Sequence, residues 1–268
     1  MIRFAALGDS VTSGYGDPMP GGGWRGWAVL LNEALRPTEF HNLAVSGARV
    51  ADVADRQLPA ALALRPTLAS VLVGMNDTLR GDFDARALGR SLTDMVAQLT
   101  DRGATVLTAR LPDPGRMFSL PGAIARPLDR RMRALNDELD EIATAFRTIH
   151  IDLASVPEER TNWSVDRLHP SERGHRLLAY RFAVALRDAG HPVGTLPGLE
   201  ATNPEPTLAQ RAWWMATQGN RWLLRRSTDL LPALARMVIE ELWRRHPEIV
   251  SPADPELAIE SRNLRSGT

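Results

Sequence analysis

Along the first 189 residues, short apolar runs alternate with segments in which apolar side chains recur every three or four positions. The runs at 2–7, 40–45, 68–73, 105–109 and 148–153 have the length and the β-branched or aromatic content of strands. Residues 84–102 carry Leu88, Leu92, Met95, Val96 and Leu99 at helical spacing, with Asp84 as an N-cap and Gly103 as a stop. Residues 128–146 carry one stripe of Leu128, Met132, Leu135, Leu139, Ile142 and Phe146. Shorter helices are expected at 27–35 and 58–64, and a last core helix begins near Ser171 and uses Leu178, Phe182 and Leu186. Strands that alternate with helices predict an α/β fold, a five-stranded parallel sheet covered by helices on both faces. In such sheets ligands bind beyond the carboxyl ends of the strands.

The pattern changes after residue 189. Residues 190–206 are rich in Pro and Gly and read as a linker. Two amphipathic helices are expected near 207–226 and 229–245, the second with Asp229 as N-cap and a stripe of Leu231, Leu234, Val238 and Leu242. A loose tail is expected from 248 to 268. The expected organisation is thus a domain at 1–189, a linker at 190–206, a helical extension at 207–247 and the tail. The extension holds Trp213, Trp214, Trp222 and Trp243 and more arginines than acids. Two readings follow: contact with a membrane surface, or packing onto the core domain or a second copy.

Composition narrows the chemistry. The 32 basic and 32 acidic residues balance, so no global attraction to nucleic acid is expected. Cysteine is absent, which excludes disulfides, thiol catalysis and thiolate metal sites. Every basic residue other than histidine is an arginine. No signal peptide fits ahead of residue 10 and no run is long enough for a membrane span, so a cytoplasmic location is expected.

Four segments fall where strands should end. Gly8-Asp9-Ser10-Val11-Thr12 follows the first strand, where a strand-to-helix turn exposes the serine hydroxyl and its own N–H. Thr12 stands where a Gly-x-Ser-x-Gly elbow would need its second glycine, which disfavours that elbow. Ser46-Gly47 follows the second strand, and Gly47 permits close approach of a backbone N–H. Gly74-Met75-Asn76-Asp77 follows the third and offers the Asn76 amide as a donor. Asp166-Arg167-Leu168-His169-Pro170 precedes the last core helix. There His169 can accept a serine proton, and Asp166 can reach its other ring nitrogen.

Taken in order, these blocks resemble the SGNH (GDSL-type) hydrolase family over about residues 1–189. Ser10, Gly47, Asn76 and His169 match its four naming residues, and Asp166 matches its third triad member. The resemblance implies a flavodoxin-like three-layer α/β/α fold. It implies hydrolysis of esters or thioesters, usually without a metal. Val11 and Thr12 depart from residues common in the family, at positions with no catalytic role. The expected roles are Ser10, Asp166 and His169 as triad, with the Ser10 and Gly47 N–H groups and Asn76 as oxyanion hole. No cofactor or metal is expected, since His175 lacks metal-ligand spacing to His169. The expected partner is a small-molecule ester. An acyltransferase using the same acyl-enzyme and a non-catalytic binding protein are the alternatives. Trp24, Arg49 and Arg80 are candidates for the substrate pocket, against the plainer reading of a packed tryptophan and solvated arginines.

Overall fold

The structure is a computed structural model. It describes residues 2–36, 39–117, 120–155 and 159–203, together with Thr207, Ala235, Arg236, Val238, Ile239 and Glu241. The two C-terminal helices and the tail expected from sequence lie almost wholly outside the described residues.

Five strands form one parallel sheet in the order β2-β1-β3-β4-β5: β1 Arg3–Gly8, β2 Glu39–Asn42, β3 Leu68–Leu72, β4 Thr105–Arg110 and β5 Ile149–Asp152. Side-chain alternation along the strands feeds two cores. Phe4, Ala6, Leu68, Leu72, Leu107 and Ile151 face α1 (Gly26–Leu35) and α8 (Glu172–Asp188), where Trp27 packs on Phe182. Ala5, Leu7, Ala69, Val71 and Val106 face the opposite helices. These are α2 and α3 (Val50–Asp52 and Leu58–Ala63), α5 (Ala85–Thr100) and α7 (Gly122–Phe146). Both faces are therefore covered, as parallel sheets require, and β3 is buried throughout. The remaining short helices are α4 (Met75–Thr78) and α6 (Pro114–Met117). This is the expected three-layer α/β/α fold. The chain leaves β1 in opposite senses toward β2 and β3, which makes the carboxyl end of β1 the switch point where ligands bind.

Three departures from the expected elements have local causes. Strand β2 ends at Asn42 and not at residue 45: the Asn42 side chain accepts from the Ala44 N–H at 3.2 Å and breaks the regular ladder, although the Leu43 and Val45 N–H groups still donate to the Ala6 and Gly8 carbonyls of β1 at 2.9 and 3.3 Å. Helix α7 begins at Gly122, six residues before the apolar stripe does, and carries Pro127 inside its early turns. The expected helix at 58–64 is the last part of a longer one that starts at Val50 and passes through a π-helical turn, Val53–Gln57. That turn aims Gln57 at the end of β1. Its side chain accepts from the Gly8 N–H at 2.8 Å and donates to the Gly8 carbonyl at 2.9 Å. A polar clamp thus closes the strand just before Asp9 and Ser10, as π turns often do beside functional sites.

Residues 190–203 do not hang free as a linker would. Val193 and Leu196 pack on the α1/α8 core, and the Gly194 N–H donates to the Ala34 carbonyl at 2.9 Å. Glu172, 6% exposed, takes N–H bonds from Thr202 and Asn203, each at 2.8 Å, and the Thr202 hydroxyl at 2.7 Å. Arg25 and Arg176 donate to the same carboxylate at 2.7 and 2.9 Å. Burial raises the pKa of Glu172, but this set of donors outweighs it and holds the carboxyl far below its ordinary range. Farther along the chain, Glu241 bridges Arg126 and Arg130 of α7 at 3.0 and 2.7 Å.

Candidate active site

Three segments converge at the carboxyl end of β1. Ser10 stands in the tight turn after that strand, stabilised by the Ser13 N–H on the Asp9 carbonyl and the Tyr15 N–H on the Ser10 carbonyl. Its Oγ lies 2.8 Å from His169 Nε2, and His169 Nδ1 lies 2.7 Å from Asp166 Oδ2. The Asp166 carboxylate is held in turn. Its Oδ1 accepts from the Ser164 hydroxyl at 2.6 Å and from the N–H groups of Leu168 and His169 at 2.9 and 3.0 Å. Burial alone would raise the Asp166 pKa, but the bond to His169 and these donors bring it below the ordinary value. The carboxyl is thereby kept ionised to face an imidazole.

The histidine loop is locked against the nucleophile loop by shape. Gly16 has φ of 106°, and a Cβ there would stand 2.1 Å from the Pro170 carbonyl oxygen. Only glycine lets the two loops approach so closely. Beside it, the Tyr15 ring packs on the His169 ring at 4.4 Å, and Trp24 packs on Tyr15 at 4.5 Å. Buried His175 fixes Tyr15 from below. It accepts the Trp27 N–H on Nδ1 at 3.2 Å and donates from Nε2 to the Tyr15 carbonyl at 3.0 Å. Burial lowers its pKa to about 4, so it stays neutral in this role.

The candidate oxyanion donors lie in the segments that follow β2 and β3. Gly47, at φ of 82°, is bracketed by two fixed neighbours. Ser46 Oγ meets Ser13 Oγ at 3.2 Å, and the Ala48 carbonyl accepts from Asn76 Nδ2 at 3.1 Å. Asn76 sits in α4 directly after β3, and the same Nδ2 donates to Asp9 Oδ2 at 3.3 Å. Asp77, one residue on, accepts from Arg49 Nε at 3.3 Å and from the Val50 N–H at 3.2 Å, tying the β2 and β3 loops together.

An apolar pocket opens beside these groups. Val11, Leu111, Met117, Trp163, Leu168 and Leu177 contribute to its wall, and the buried Asp9 is one of its few polar members. Val11 and Leu168, the sequence neighbours of Ser10 and His169, both line it. The three substrate-pocket candidates from sequence are elsewhere. Arg49 is committed to Asp77 and to Asp82, the latter at 3.0 and 3.1 Å. Trp24 belongs to the aromatic stack over His169, 38% exposed. The backbone at Arg80 is held by Arg131, and Arg80 is not part of the pocket wall. Sequence reasoning passed over Asp9, Tyr15 and Gln57; Asp9 stood inside the quoted Gly-Asp-Ser block, whereas nothing local marked the other two.

Burial raises the Asp9 pKa to about 6 from 3.8, against the opposing bond from the Val11 N–H. The titratable groups facing it are His169 and Asp77. The folded state therefore keeps this proton at a pH where the unfolded chain has lost it. Ionisation costs the folded state, so stability relative to an Asp9→Asn variant falls as pH rises from 3.8 to about 6. The expected loss is on the order of 3 kcal/mol. Denaturant titrations of both proteins at pH 4 and pH 7 measure it.

Among the described residues, no helix is long and apolar enough to cross a membrane, and no three His, Asp or Glu side chains cluster as a metal site. No curated protein sequence matches the chain. Solved structures share its fold. TesA is 24% identical, covering 69% of this chain and 98% of that one, with a TM-score of 0.58. A lipase/acylhydrolase from Enterococcus faecalis is 21% identical over 75% of this chain and all of that one, with a TM-score of 0.56. Axe2, an acetylxylan esterase from Geobacillus stearothermophilus, is 20% identical over 71% and 95%, with a TM-score of 0.51. The model of the GDSL-like lipase/acylhydrolase family matches residues 6–177, which run from within β1 to the first turns of α8 and contain every group of the site just described. The chain belongs to that family.

Proposed function

We propose that this protein hydrolyses carboxylic esters through an acyl-enzyme on Ser10. The observation that carries the reading is the unbroken hydrogen-bonded line from Ser10 through His169 to Asp166. His169 Nε2 takes the serine proton as Oγ attacks the acyl carbonyl, and Asp166 holds the tautomer that leaves Nε2 free to accept it. The Ser10 and Gly47 N–H groups and Asn76 stabilise the oxyanion. His169 then returns its proton to the leaving alcohol, and water, activated by the same imidazole, releases the acid.

The pocket wall supports an acyl chain as its occupant. Most of its lining side chains, Leu111, Met117, Leu168 and Leu177 among them, are apolar, and burial of each methylene contributes about 0.8 kcal/mol. In a series of p-nitrophenyl esters, kcat/KM should climb by roughly fourfold per methylene until the pocket is full. Leu177→Trp should move the maximum to a shorter chain. A profile that falls steadily from acetate, unchanged by Leu177→Trp, would mean that the pocket does not hold the acyl group.

A further inference from the structure

We infer that Asp9 is the positioning residue for Asn76, holding the side-chain amide of the oxyanion hole in the orientation that donates. The inference rests on the acyl-transfer reading of the site. An asparagine amide presents either an oxygen or an N–H₂, according to how it is turned about its last torsion. Toward a developing negative charge the two ends act in opposite directions.

The surroundings of Asn76 decide between them. Above about pH 6, where Asp9 is ionised, Nδ2 meets two atoms that can only accept, the Ala48 carbonyl at 3.1 Å and Asp9 Oδ2 at 3.3 Å. The reversed amide would set its oxygen against both, in a place where Asp9 is 5% exposed and water cannot repair the clash. The Asp9 carboxylate is itself fixed, because Oδ1 accepts from the Val11 N–H at 3.0 Å. One side chain thus ties the backbone after the nucleophile to the amide of Asn76 in α4. The bond to Asp9 is the longer of the two, so its hydrogen is the one that an arriving oxyanion draws away.

The substitution Asp9→Asn tests this. The Val11 N–H keeps the new side chain's oxygen, which turns its N–H₂ toward Asn76 and invites that amide to reverse. The expected result is a fall in kcat of about 10²-fold, near the effect of losing the donor itself, with KM changed by less than about threefold. In an Asn76→Ala background the same substitution should change kcat by less than about twofold, because there is no amide left to orient. A carboxylate that serves only packing would cost the same factor in both backgrounds, and that result overturns the inference. So does an Asp9→Asn protein with unchanged or raised kcat. An Asn76→Ala protein as active as the parent would instead defeat the oxyanion role of Asn76, and the present inference with it. Should Asp9→Asn not fold, amide proton exchange in the parent protein decides: both Asn76 Nδ2 hydrogens should exchange more slowly than those of an exposed asparagine, and fast exchange of both overturns the inference.

Discussion

Replacing Ser10 with alanine should lower the turnover of a reactive ester by about 10⁶-fold and leave the fold intact. The hydroxyl is partly buried and makes one side-chain hydrogen bond, to His169 Nε2. Its loss removes the atom that forms the covalent bond, and little that supports the core. The remaining oxyanion donors still leave a rate about 10³-fold above that in water. Steady-state assays on a p-nitrophenyl ester measure the loss. A phosphonate that labels the parent at Ser10, located by peptide mapping, should leave Ser10→Ala unmodified. An alanine variant retaining more than about a hundredth of the activity would assign the nucleophile elsewhere.

Asp166→Asn should cost about 10⁴-fold in kcat. The cause lies in the hydrogen bonds on the far side of the carboxylate. Oδ1 takes three donors, from Ser164, Leu168 and His169. An asparagine placed there keeps its oxygen for those donors and is forced to point its N–H₂ at His169 Nδ1. The imidazole then accepts on Nδ1 and carries its proton on Nε2, where it has no lone pair for the serine. Combined with Ser10→Ala, the substitution should add almost nothing, since both act through one proton transfer. A single variant within about tenfold of the parent would show that the tautomer is not set by this contact.

The layers of the fold were legible because the two signals behind them are local. Strands buried on both faces appear as continuous apolar runs, and helices such as α5 announce themselves by stripe, cap and stop. Asp84 does accept from the Ala87 N–H, and Ser171 does cap α8 through the Gly174 N–H. The meeting of Ser10, His169 and Asp166 was legible for a related reason. Each sits just past a strand or just before a helix, in a short run whose residue types suit a reaction. What escaped was non-local. Gln57 reaches Gly8 only because a π turn shifts its register, and His175 supports Tyr15 across 160 residues of chain. Arg49 looked like a free cation because its partners, Asp77 and Asp82, lie in another loop. The pocket wall is assembled from the segment after β4, α6, α8 and the histidine loop, and no one of these segments is unusual alone.

The Glu172 carboxylate redraws where the hydrolytic unit ends. The stretch whose Pro and Gly content suggested a tether supplies three of the donors that make a buried negative charge tolerable there. Severed at residue 189, the chain would leave that charge with its two arginines but without Thr202 and Asn203, and would strip Val193 and Leu196 from the side of α1 and α8. Arg25 also anchors Asp17, in the same loop that carries the aromatic cover of His169. An excised catalytic fragment therefore has to run through Asn203, and the apparent hinge behaves as a keystone for the far wall of the reaction centre.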